Sequence, residues 1–466
     1  MPNRSEPILT AAQMRAAEGE LIAQGVSVDA LMQRAGRGAA DHVWRLSGGR
    51  PITVLCGPGN NGGDGYVLAE AIRERGGEVA VITAADPATP AAIAARKGWH
   101  GPVLNGDATR RGDVLVDCLF GTGLTRPLSA DHLALLQRLA ASHERRVAVD
   151  LPSGVDSDLG LALNHDLPGY DLTVALGAWK FAHFLMPSSA AMGALRLVDI
   201  GVTIAPGAAV AIGRPRLTAP AVDAHKYTRG LLGVIGGAMP GAALLAARAA
   251  QHAGAGYIKL LANPGVSPSP DLVTDSAPLA EALGDARFSA LLIGPGLGRR
   301  GEARERLTLA LAEPFPAVLD ADALVLLAPR LLAERAATLI VTPHEGELHA
   351  LERAFNLDGA GSKVERASAL AGALNAVVVA KGPDTVVASP DGRLALAHPA
   401  TSWLATAGTG DVLAGTIASR LATGADPFVA ACQGVWLHGE AARLCPPAFT
   451  AGQLAEAIGP AYAACL

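Results

Sequence analysis

The segment Thr406–Gly415 reads Thr-Ala-Gly-Thr-Gly-Asp-Val-Leu-Ala-Gly and places a carboxylate inside a glycine-rich turn. Gly408 and Gly410 loosen the backbone, and Val412–Leu421 has helical character. Such a turn directs free N–H groups and the positive end of the helix dipole at one point, where an anion binds. Asp411 fits there if it removes a proton from a substrate hydroxyl while the N–H groups stabilise a transferring phosphoryl group. The alternative is that Asp411 only caps the helix, a common use of aspartate.

The composition indicates large buried cores and argues against a nucleic-acid partner. The chain has 466 residues, of which 50% are hydrophobic and 17% are charged, so we expect two domains. A net charge of −5 without runs of Lys and Arg argues against binding to nucleic acid or to a membrane surface. The polar segment Met1–Glu6 is unlike a signal peptide, and no apolar segment is long enough to span a bilayer. The five cysteines are scattered without metal-ligand spacing, so we expect a cytoplasmic protein.

The first half predicts a parallel α/β sheet. Ile52–Cys56 reads as a strand, Gly57–Gly65 as a glycine-rich loop, Tyr66–Arg75 as a helix and Glu78–Thr83 as the next strand. This is the βαβ unit, and its first loop allows a phosphate to approach the backbone. The loop has neither the spacing of the dinucleotide fingerprint nor the lysine of a P-loop.

Polar residues follow three strands of this half, so they are expected to converge at one edge of the sheet. They are Asn60, Asn61, Asp64, Asp117, Asp150 and Ser153. Oxygen atoms of Asn61, Asp117 and Ser153 could bind a cation. Turn hydrogen bonds are the alternative explanation for each aspartate.

The second half repeats the pattern of near-continuous apolar strands, each followed by a polar or glycine-rich loop. In these loops Lys381 supplies a charge, His344 is placed to orient a substrate group, and Asp320, Asp322 and Glu345 could hold Mg²⁺ through water. The alternatives are a surface charge for Lys381, a capped turn for His344 and a helix N-cap for Asp322.

The boundary between the halves is predicted within Ala205–Pro220. This segment contains Pro206, Pro215 and Pro220 and has no helical pattern. We therefore expect one domain over residues 1–214 and another over residues 215–466.

Four runs of the first half resemble the N-terminal domain of NAD(P)H-hydrate epimerases. They are Leu31–Gly36, Gly59–Gly65, Asp117–Leu124 and Val149–Gly154, and the resemblance spans most of residues 8–205. It implies a Rossmann-like domain that interconverts the R and S epimers of hydrated NADH or NADPH. The chain departs from the family pattern at Ala17-Glu18, where an aspartate is expected in the first helix.

The same resemblance implies a set of site residues. The substrate is expected to contact Asn60, Asn61, Gly62, Gly63, Asp64, Gly121, Thr122, Gly123, Leu124, Thr125, Arg126, Pro127 and the catalytic Asp150. A potassium ion is expected at Asn61, Asp117 and Ser153.

The second half, from about residue 222 onward, resembles the ADP-dependent NAD(P)H-hydrate dehydratase domain, a member of the ribokinase-like superfamily. The matching runs are His225–Tyr227, Gly294–Gly298, Leu319–Leu324, Thr342–Glu347, Lys381–Thr385 and Gly408–Asp411. The resemblance implies that the adenine nucleotide contacts Lys381, Gly382, Pro383, Asp384, Thr385 and Gly410. The hydrated nicotinamide would contact Gly296, His344 and the catalytic Asp411. Pro270-Asp271 stands where the family more often has Pro-Glu.

Together the two resemblances imply a bifunctional enzyme built of two three-layer α/β/α domains, the first Rossmann-like and the second ribokinase-like. The second domain would dehydrate the S hydrate at the expense of ADP, giving AMP and phosphate, with Mg²⁺ as its cofactor. We expect a homo-oligomer whose partners are small molecules. One alternative is a ribokinase-like small-molecule kinase with a non-catalytic nucleotide-binding first module. Another makes the first half a binding or scaffold module.

Overall fold

The computed structural model describes residues 6–107, 112–203, 207–262 and 269–466. These residues form two compact units, Glu6–Ala209 and Val210–Leu466. The division precedes the predicted boundary at residue 215 because Ala209–Ala211 forms a strand that pairs with Leu394–Leu396. Most of the polar N-terminal segment, and Pro206 of the predicted linker, lie outside the described residues.

The first unit is built on a parallel sheet. Its strands are β1 (Pro7–Ile8), β2 (Ile52–Cys56), β3 (Val79–Thr83), β4 (Val103–Asn105), β5 (Gly112–Cys118), β6 (His143–Val149), β7 (Leu172–Leu176) and β8 (Ala194–Val198). Its helices are α1 (Ala11–Ala23), α2 (Val28–Ser47), α3 (Asn60–Glu74), α4 (Pro90–Lys97) and α5 (Ala130–Ala141). The strands lie in the order β4-β3-β2-β5-β6-β7-β8 and all pairs are parallel, while β1 bridges to Trp179.

Helices cover both faces of this sheet, as the alternation of side chains in β2 shows. Val54 and Cys56 pack in a buried cluster with residues of α1, α2 and α3. Leu55, between them, belongs to a cluster with Leu136 and Leu139 of α5. Because successive strand residues point to opposite faces, the sheet is the middle of three layers. The predicted fold of this half is confirmed.

The start of α3 differs from the prediction. The helix begins at Asn60, within the predicted loop, and not at Tyr66. The glycines permit close packing inside a helix: a Cβ on Gly62 would lie 1.9 Å from the Gly57 carbonyl oxygen, and one on Gly63 would lie 2.7 Å from the Met32 sulfur. Sequence periodicity missed this turn because glycines carry no apolar pattern.

The second unit contains a larger mixed sheet. Its strands are β9 (Ala209–Ala211), β10 (Leu231–Ile235), β11 (Tyr257–Leu261), β12 (Val273–Asp275), β13 (Phe288–Ile293), β14 (Ala317–Leu319), β15 (Leu339–Val341), β16 (Val377–Ala380), β17 (Val386–Ala388) and β18 (Leu394–Leu396). They lie in the order β9-β18-β17-β16-β15-β14-β13-β10-β11-β12. The pairs of β17 with β16 and β18 are antiparallel, and the others from β9 to β12 are parallel.

Helices again cover both faces. They are α6 (Pro240–Gln251), α7 (Leu279–Ala282), α8 (Gly301–Ala312), α9 (Asp322–Leu326), α10 (Glu345–Ala354), α11 (Lys363–Leu374), α12 (Thr409–Ala422), α13 (Pro427–Leu444) and α14 (Ala451–Ala463). Residues of α6, α12 and α13 share a core with one face of the sheet, while α8 and α11 contact β13 and β16 from the other face. The N-cap alternative for Asp322 is not what the structure shows, because Asp322 is the first residue of the short helix α9 and Ala321 is its N-cap.

The helix α12 is the central helix of this unit. Every residue from Val412 to Ala422 is buried, including the polar Thr416, Ser419 and Arg420. Among the described residues, no helix is long and apolar enough to cross a membrane.

Candidate functional site

A cavity of about 530 Å³ lies at the carboxyl edge of the sheet in the first unit. Of the residues predicted to contact a substrate, it is lined by Asn60, Asn61, Asp64, Gly121, Thr122, Gly123, Leu124, Thr125, Arg126 and Asp150. Gly62, Gly63 and Pro127 do not line it. The first two are buried under the cavity in α3, and Pro127 is exposed beside it.

The N-terminus of α3 opens at this cavity. Its N-cap residue, Gly59, provides no side-chain hydrogen bond, so N–H groups of the first turn remain available to a ligand. Asn60 Oδ1 accepts a hydrogen bond of 2.6 Å from Thr89 Oγ1. Free N–H groups and the helix dipole make this end of the cavity suited to a phosphate group.

The most polar contact in the cavity joins Asp150 to Lys180, a residue that sequence reasoning missed. The Lys180 side chain is only 1% exposed, and its ammonium donates to Asp150 Oδ1 and, at 2.7 Å, to the Leu176 carbonyl. The N–H and hydroxyl of Thr122 donate to Asp150 Oδ2 at 2.7 and 2.6 Å. The sequence signal that could have identified Lys180 is its position shortly after an apolar run, which forms the buried strand β7.

Two further carboxyl groups, Asp64 and Glu18, share the cavity with this pair. Burial, together with the nearby charges of Asp150 and Glu18, raises the pKa of Asp64 well above its ordinary value. Burial also raises the pKa of Glu18. Burial would raise the pKa of Asp150 too, but the charge and hydrogen bonds of Lys180 and the bonds from Thr122 outweigh it and hold that pKa below its usual range. The cavity therefore combines a carboxyl group whose ionised form is favoured, Asp150, with one whose protonated form is favoured, Asp64.

The three residues predicted to bind a cation lie near this cavity but differ in their partners. Asp117 is fully buried and accepts from Leu119 N (3.0 Å), Ser153 Oγ (2.7 Å), Ser153 N (3.1 Å) and Tyr170 Oη (2.5 Å). Among the described residues no cationic side chain pairs with it. The side-chain amide atoms of Asn61 are buried and have no hydrogen-bond partner within the described part of the chain.

These features fit a monovalent cation. Phe120 N donates to Ser153 Oγ at 2.9 Å, and the next residue, Gly121, lies so close to Asn61 that an added Cβ would be 3.2 Å from Asn61 Oδ1. An unpartnered buried amide oxygen beside a buried, uncompensated carboxylate is an environment that a cation would stabilise.

The turn Thr406–Asp411 of the second unit forms the N-terminus of α12. Gly408 is the N-cap, with φ of 93°, in the left-handed region that glycine tolerates, and no side chain caps the helix. Asp411 lies in the first turn. The carboxylate of Asp411 has no hydrogen-bond or ion-pair partner in the part of the chain that the structure describes. The alternative that Asp411 caps the helix is therefore wrong.

Lys381 lies against this turn. A Cβ added to Gly410 would be 3.5 Å from the Lys381 ammonium. That ammonium donates to Asp320 Oδ1 at 2.6 Å, and the same oxygen accepts from Thr342 Oγ1 at 2.7 Å. Burial and the neighbouring Asp320 raise the pKa of Asp411 to about 6, although Lys381 acts in the opposite direction.

The rest of the predicted nucleotide loop, Gly382–Thr385, is a partly exposed turn after β16. Thr385 Oγ1 donates to the Gly382 carbonyl at 2.9 Å, and Asp384 is held by Lys363 at 2.5 Å. Pro383 is exposed. The loop thus offers one ammonium, that of Lys381, toward the turn.

His344 and Gly296 occupy other loops at this edge. His344 is the N-cap of α10, and its Nδ1 accepts from Gly346 N at 3.0 Å and Glu347 N at 3.2 Å. The carbonyl of Pro343, the preceding residue, accepts from Lys381 N at 2.7 Å, which joins the two loops. Gly296 has φ of 65° and packs so closely that a Cβ would lie 2.0 Å from the Met239 carbonyl oxygen.

The carboxylates predicted to hold Mg²⁺ are each engaged by a cation of the chain. Asp320 pairs with Lys381, Asp322 with Arg299 at 2.7 Å, and Glu345 with Arg366 at 2.6 Å. Asp322 also accepts from Gly298 N at 2.9 Å. Among the described residues, no group of three or more His, Cys, Asp or Glu side chains is arranged to hold a metal. The three carboxylates therefore do not form a ready magnesium site.

Two protein-family profiles match the chain. Residues 28–182 match the profile described as the N-terminus of YjeF-related proteins, and residues 232–462 match the profile of NAD(P)H-hydrate dehydratase. The first match includes Asp150 and Lys180, and the second includes Lys381 and Asp411.

Two relatives align with this chain over nearly the whole of both sequences, so each alignment includes both matched regions. The bifunctional NAD(P)H-hydrate repair enzyme of Salinibacter ruber is 34% identical, over 94% of this chain and 92% of the relative. The bifunctional NAD(P)H-hydrate repair enzyme of Gloeobacter violaceus is 35% identical, over 93% of this chain and 92% of the relative. A solved structure of the ADP/ATP-dependent NAD(P)H-hydrate dehydratase from Bacillus subtilis, co-crystallised with ATP and Mg²⁺, is 30% identical. It aligns with 54% of this chain and 95% of that chain, at a TM-score of 0.48.

Proposed function

The chain belongs to the family of bifunctional NAD(P)H-hydrate repair enzymes, and we propose that residues 1–214 carry its epimerase site and residues 215–466 its dehydratase site. The enzyme restores hydrated NADH and NADPH through an epimerase and a dehydratase activity. The observation that carries the assignment of the second site is the unpartnered carboxylate of Asp411 at the N-terminus of α12, beside the ammonium of Lys381.

Epimerisation requires that the hydroxyl on the hydrated ring carbon leave from one face and return to the other. The ring nitrogen next to that carbon can stabilise the cation formed when the hydroxyl leaves as water. We assign Asp64, whose pKa is raised well above its ordinary value by burial, as the acid that protonates the leaving hydroxyl. Asp150, held ionised by Lys180, stabilises the cation and accepts a proton from the returning water.

The N-terminus of α3 supports binding of the same substrate. The pyrophosphate of the dinucleotide is the anion that its free N–H groups would hold, which places the nicotinamide end toward Asp64 and Asp150. Potassium is the proposed cation at Asn61, Asp117 and Ser153. It would offset the buried charge of Asp117 beside the phosphate end of the cavity.

Dehydration is proposed to proceed through a phosphate ester. Asp411 removes the proton of the substrate hydroxyl, which attacks the β-phosphoryl group of ADP. The ammonium of Lys381 and the N–H groups of α12 stabilise the charge on the transferring group. Phosphate then leaves, driven by the ring nitrogen, and the neighbouring ring carbon loses a proton to water, which restores the double bond of NADH or NADPH. AMP and inorganic phosphate are released. Because Asp320, Asp322 and Glu345 are already engaged, Mg²⁺ is proposed to enter with the phosphates of ADP.

A cavity in the second unit is the proposed site for the adenosine of ADP. It has a volume of about 270 Å³ and is lined by residues after β18, including Ala397, and by α13, including Trp436. The amide of Ala397 donates to the Thr385 carbonyl at 3.0 Å, so the cavity adjoins the loop that begins at Lys381. An adenine ring in this cavity would direct its phosphates toward α12.

Product analysis tests the dehydratase assignment. The purified chain, incubated with the S hydrate of NADH and ADP, should release NADH, AMP and inorganic phosphate in equal amounts. The alternative, a small-molecule kinase, would instead leave a stable phosphorylated product. The variant Asp411→Asn, whose side chain keeps its size but cannot accept the proton, should lose the reaction while keeping the circular dichroism spectrum and melting temperature of the parent.

A further inference from the structure

Asp320 is a buried carboxylate to which no role has been assigned in either reaction. It follows β14 directly and is 1% exposed. Its N–H donates to the Ile293 carbonyl at 3.2 Å, and its own carbonyl lies 1.7 Å from where a Cβ on Gly294 would stand. The backbone of Asp320 is therefore fixed by the neighbouring strand β13, and little freedom remains for its side chain.

The side chain of Asp320 makes two contacts that meet on one oxygen atom. Oδ1 accepts from Lys381 Nζ at 2.6 Å and from Thr342 Oγ1 at 2.7 Å. The Lys381 side chain is 17% exposed, and Asp320 is its one ion-pair partner among the described residues. Lysine has a flexible stem with four carbons, so an ammonium without such a partner would sample many positions.

The place at which Asp320 holds the ammonium is the turn that carries Asp411. The Lys381 ammonium lies near Gly410, the residue before Asp411. The charged and titratable groups facing Asp411 are Asp320 after β14, Asp322 in α9 and Lys381 after β16. Behind the turn, His438 of α13 bonds the Thr409 carbonyl at 2.9 Å, and burial lowers its pKa to about 4, so it is neutral.

We infer that Asp320 is a positioning residue of the dehydration reaction, which fixes the Lys381 ammonium beside Gly410 and places a negative charge near Asp411 without touching either substrate. This inference rests on the proposed dehydratase site. A lysine has three N–H donors, so the ammonium can keep its bond to Asp320 while it binds a phosphoryl oxygen. The fixed charge of Asp320 also makes Asp411 a stronger base, because a like charge disfavours ionisation.

The variant Asp320→Asn tests the inference because asparagine keeps the size and an acceptor oxygen but removes the charge. We expect kcat of ADP-dependent dehydration to fall ~10–100-fold, the loss that misplacement of a catalytic group can cause. The acidic limb of the pH profile of kcat should move to lower pH, because Asp411 loses a neighbouring negative charge. Asp320→Glu, which restores the charge, should return the limb to its original position.

The matched control is Glu352→Gln, which also removes the charge of a buried carboxylate in an ion pair. Glu352 is 2% exposed and pairs with Arg366 at 2.8 Å. This variant should lower the melting temperature without moving the acidic limb or reducing kcat per folded molecule. A merely structural role for Asp320 would make the two variants behave alike, which would overturn the inference.

Two outcomes separate this inference from the proposed function. If the parent chain does not convert the S hydrate with ADP, the proposed function fails. If the parent is active and Asp320→Asn has the parent's kcat and acidic limb, only the role of Asp320 fails. Should Asp320→Asn not fold, Thr342→Val removes just the hydroxyl that fixes the Asp320 carboxylate, and kcat should fall by about fivefold, the value of one hydrogen bond. An unchanged kcat in a folded Thr342→Val enzyme would then refute the inference.

Discussion

At the scale of single residues, each proposed site combines a carboxylate paired with lysine and a carboxyl group without a cation. In the first unit, Lys180 favours the ionised form of Asp150, while burial favours the protonated form of Asp64. Lys381 pairs with Asp320 while Asp411 stays unpaired in the second. In both units, one ammonium pairs with one of two neighbouring carboxyl groups and leaves the other without a cationic partner among the described residues.

The raised pKa of Asp411 predicts the pH dependence of dehydration. A general base acts only when it is ionised, and a carboxyl group is ionised above its pKa. With a pKa of about 6, Asp411 is active at neutral pH, and kcat should fall tenfold per pH unit below about 6. Rates measured from pH 5 to 8 at saturating ADP would check this; a rate that stays constant down to pH 5 would exclude Asp411 as the base.

We predict that Lys180→Met abolishes epimerisation and destabilises the first unit, without other effects on activity. Removing one partner of a buried ion pair leaves the other charge uncompensated, which costs about 3–5 kcal/mol. Epimerase activity should disappear even in the fraction that remains folded, because Asp150 would take up a proton. The dehydration rate of the S hydrate should stay at the parent's value.

Lys97→Met, at the exposed end of α4, is the matched control for that substitution. It should change neither epimerase activity nor the urea concentration at which half of the protein is unfolded. Unimpaired epimerisation in Lys180→Met would contradict the proposed role of the Lys180 and Asp150 pair.

At the scale of elements, the position of Asp411 depends on how closely α12 packs against α6. A Cβ on Gly415 would lie 2.0 Å from the carbonyl oxygen of Ala246, so α12 can occupy its place only with glycine there. Gly415→Ala should therefore displace α12, destabilise the second unit by about 1–3 kcal/mol and reduce dehydration. Denaturant unfolding and the rate with ADP measure the two effects.

Gly372→Ala in α11 is the control for this substitution. No atom lies within 4 Å of where its Cβ would stand, and the residue is exposed. Alanine there should stabilise the helix by about 0.5–1 kcal/mol and leave dehydration unchanged. Equal stability of the two variants would show that α6 and α12 do not approach as closely as described.

Sequence patterns predicted the buried strands best. The strand Ile52–Cys56 has the predicted bounds, because a short apolar run between turns identifies a covered strand. The first turn of α3 was missed because its glycines serve close contacts with residues distant in sequence. Local patterns do not record such contacts.

Polar residues next to glycine-rich turns were also predictable, whereas the charged side chains that pair with them were not. Asp150 and Asp411 stand beside recognisable motifs, and the loops around them could be identified from the chain alone. Lys180 stands apart from any motif, and its meeting with Asp150 depends on the order of the strands β6 and β7. The magnesium prediction for Asp320 was unsupported because the sequence does not reveal that Lys381 reaches it.

At the scale of the whole molecule, we propose that the two compact units of one chain each carry one of the two activities. The first unit would convert the R hydrate to the S hydrate, and the second would consume the S hydrate with ADP. A variant defective in one unit should therefore retain the activity of the other, so each reaction can be assayed in the full-length protein.

The most direct measurement follows NADH formation at 340 nm from an equal mixture of R and S hydrates with excess ADP. The parent should convert both epimers in one continuous progress curve. Lys180→Met should convert the S half at the normal rate and then slow to the spontaneous rate of epimerisation, and Asp411→Asn should form no NADH. Full conversion by Asp411→Asn, or a stable phosphorylated product from the parent, would contradict the proposed function.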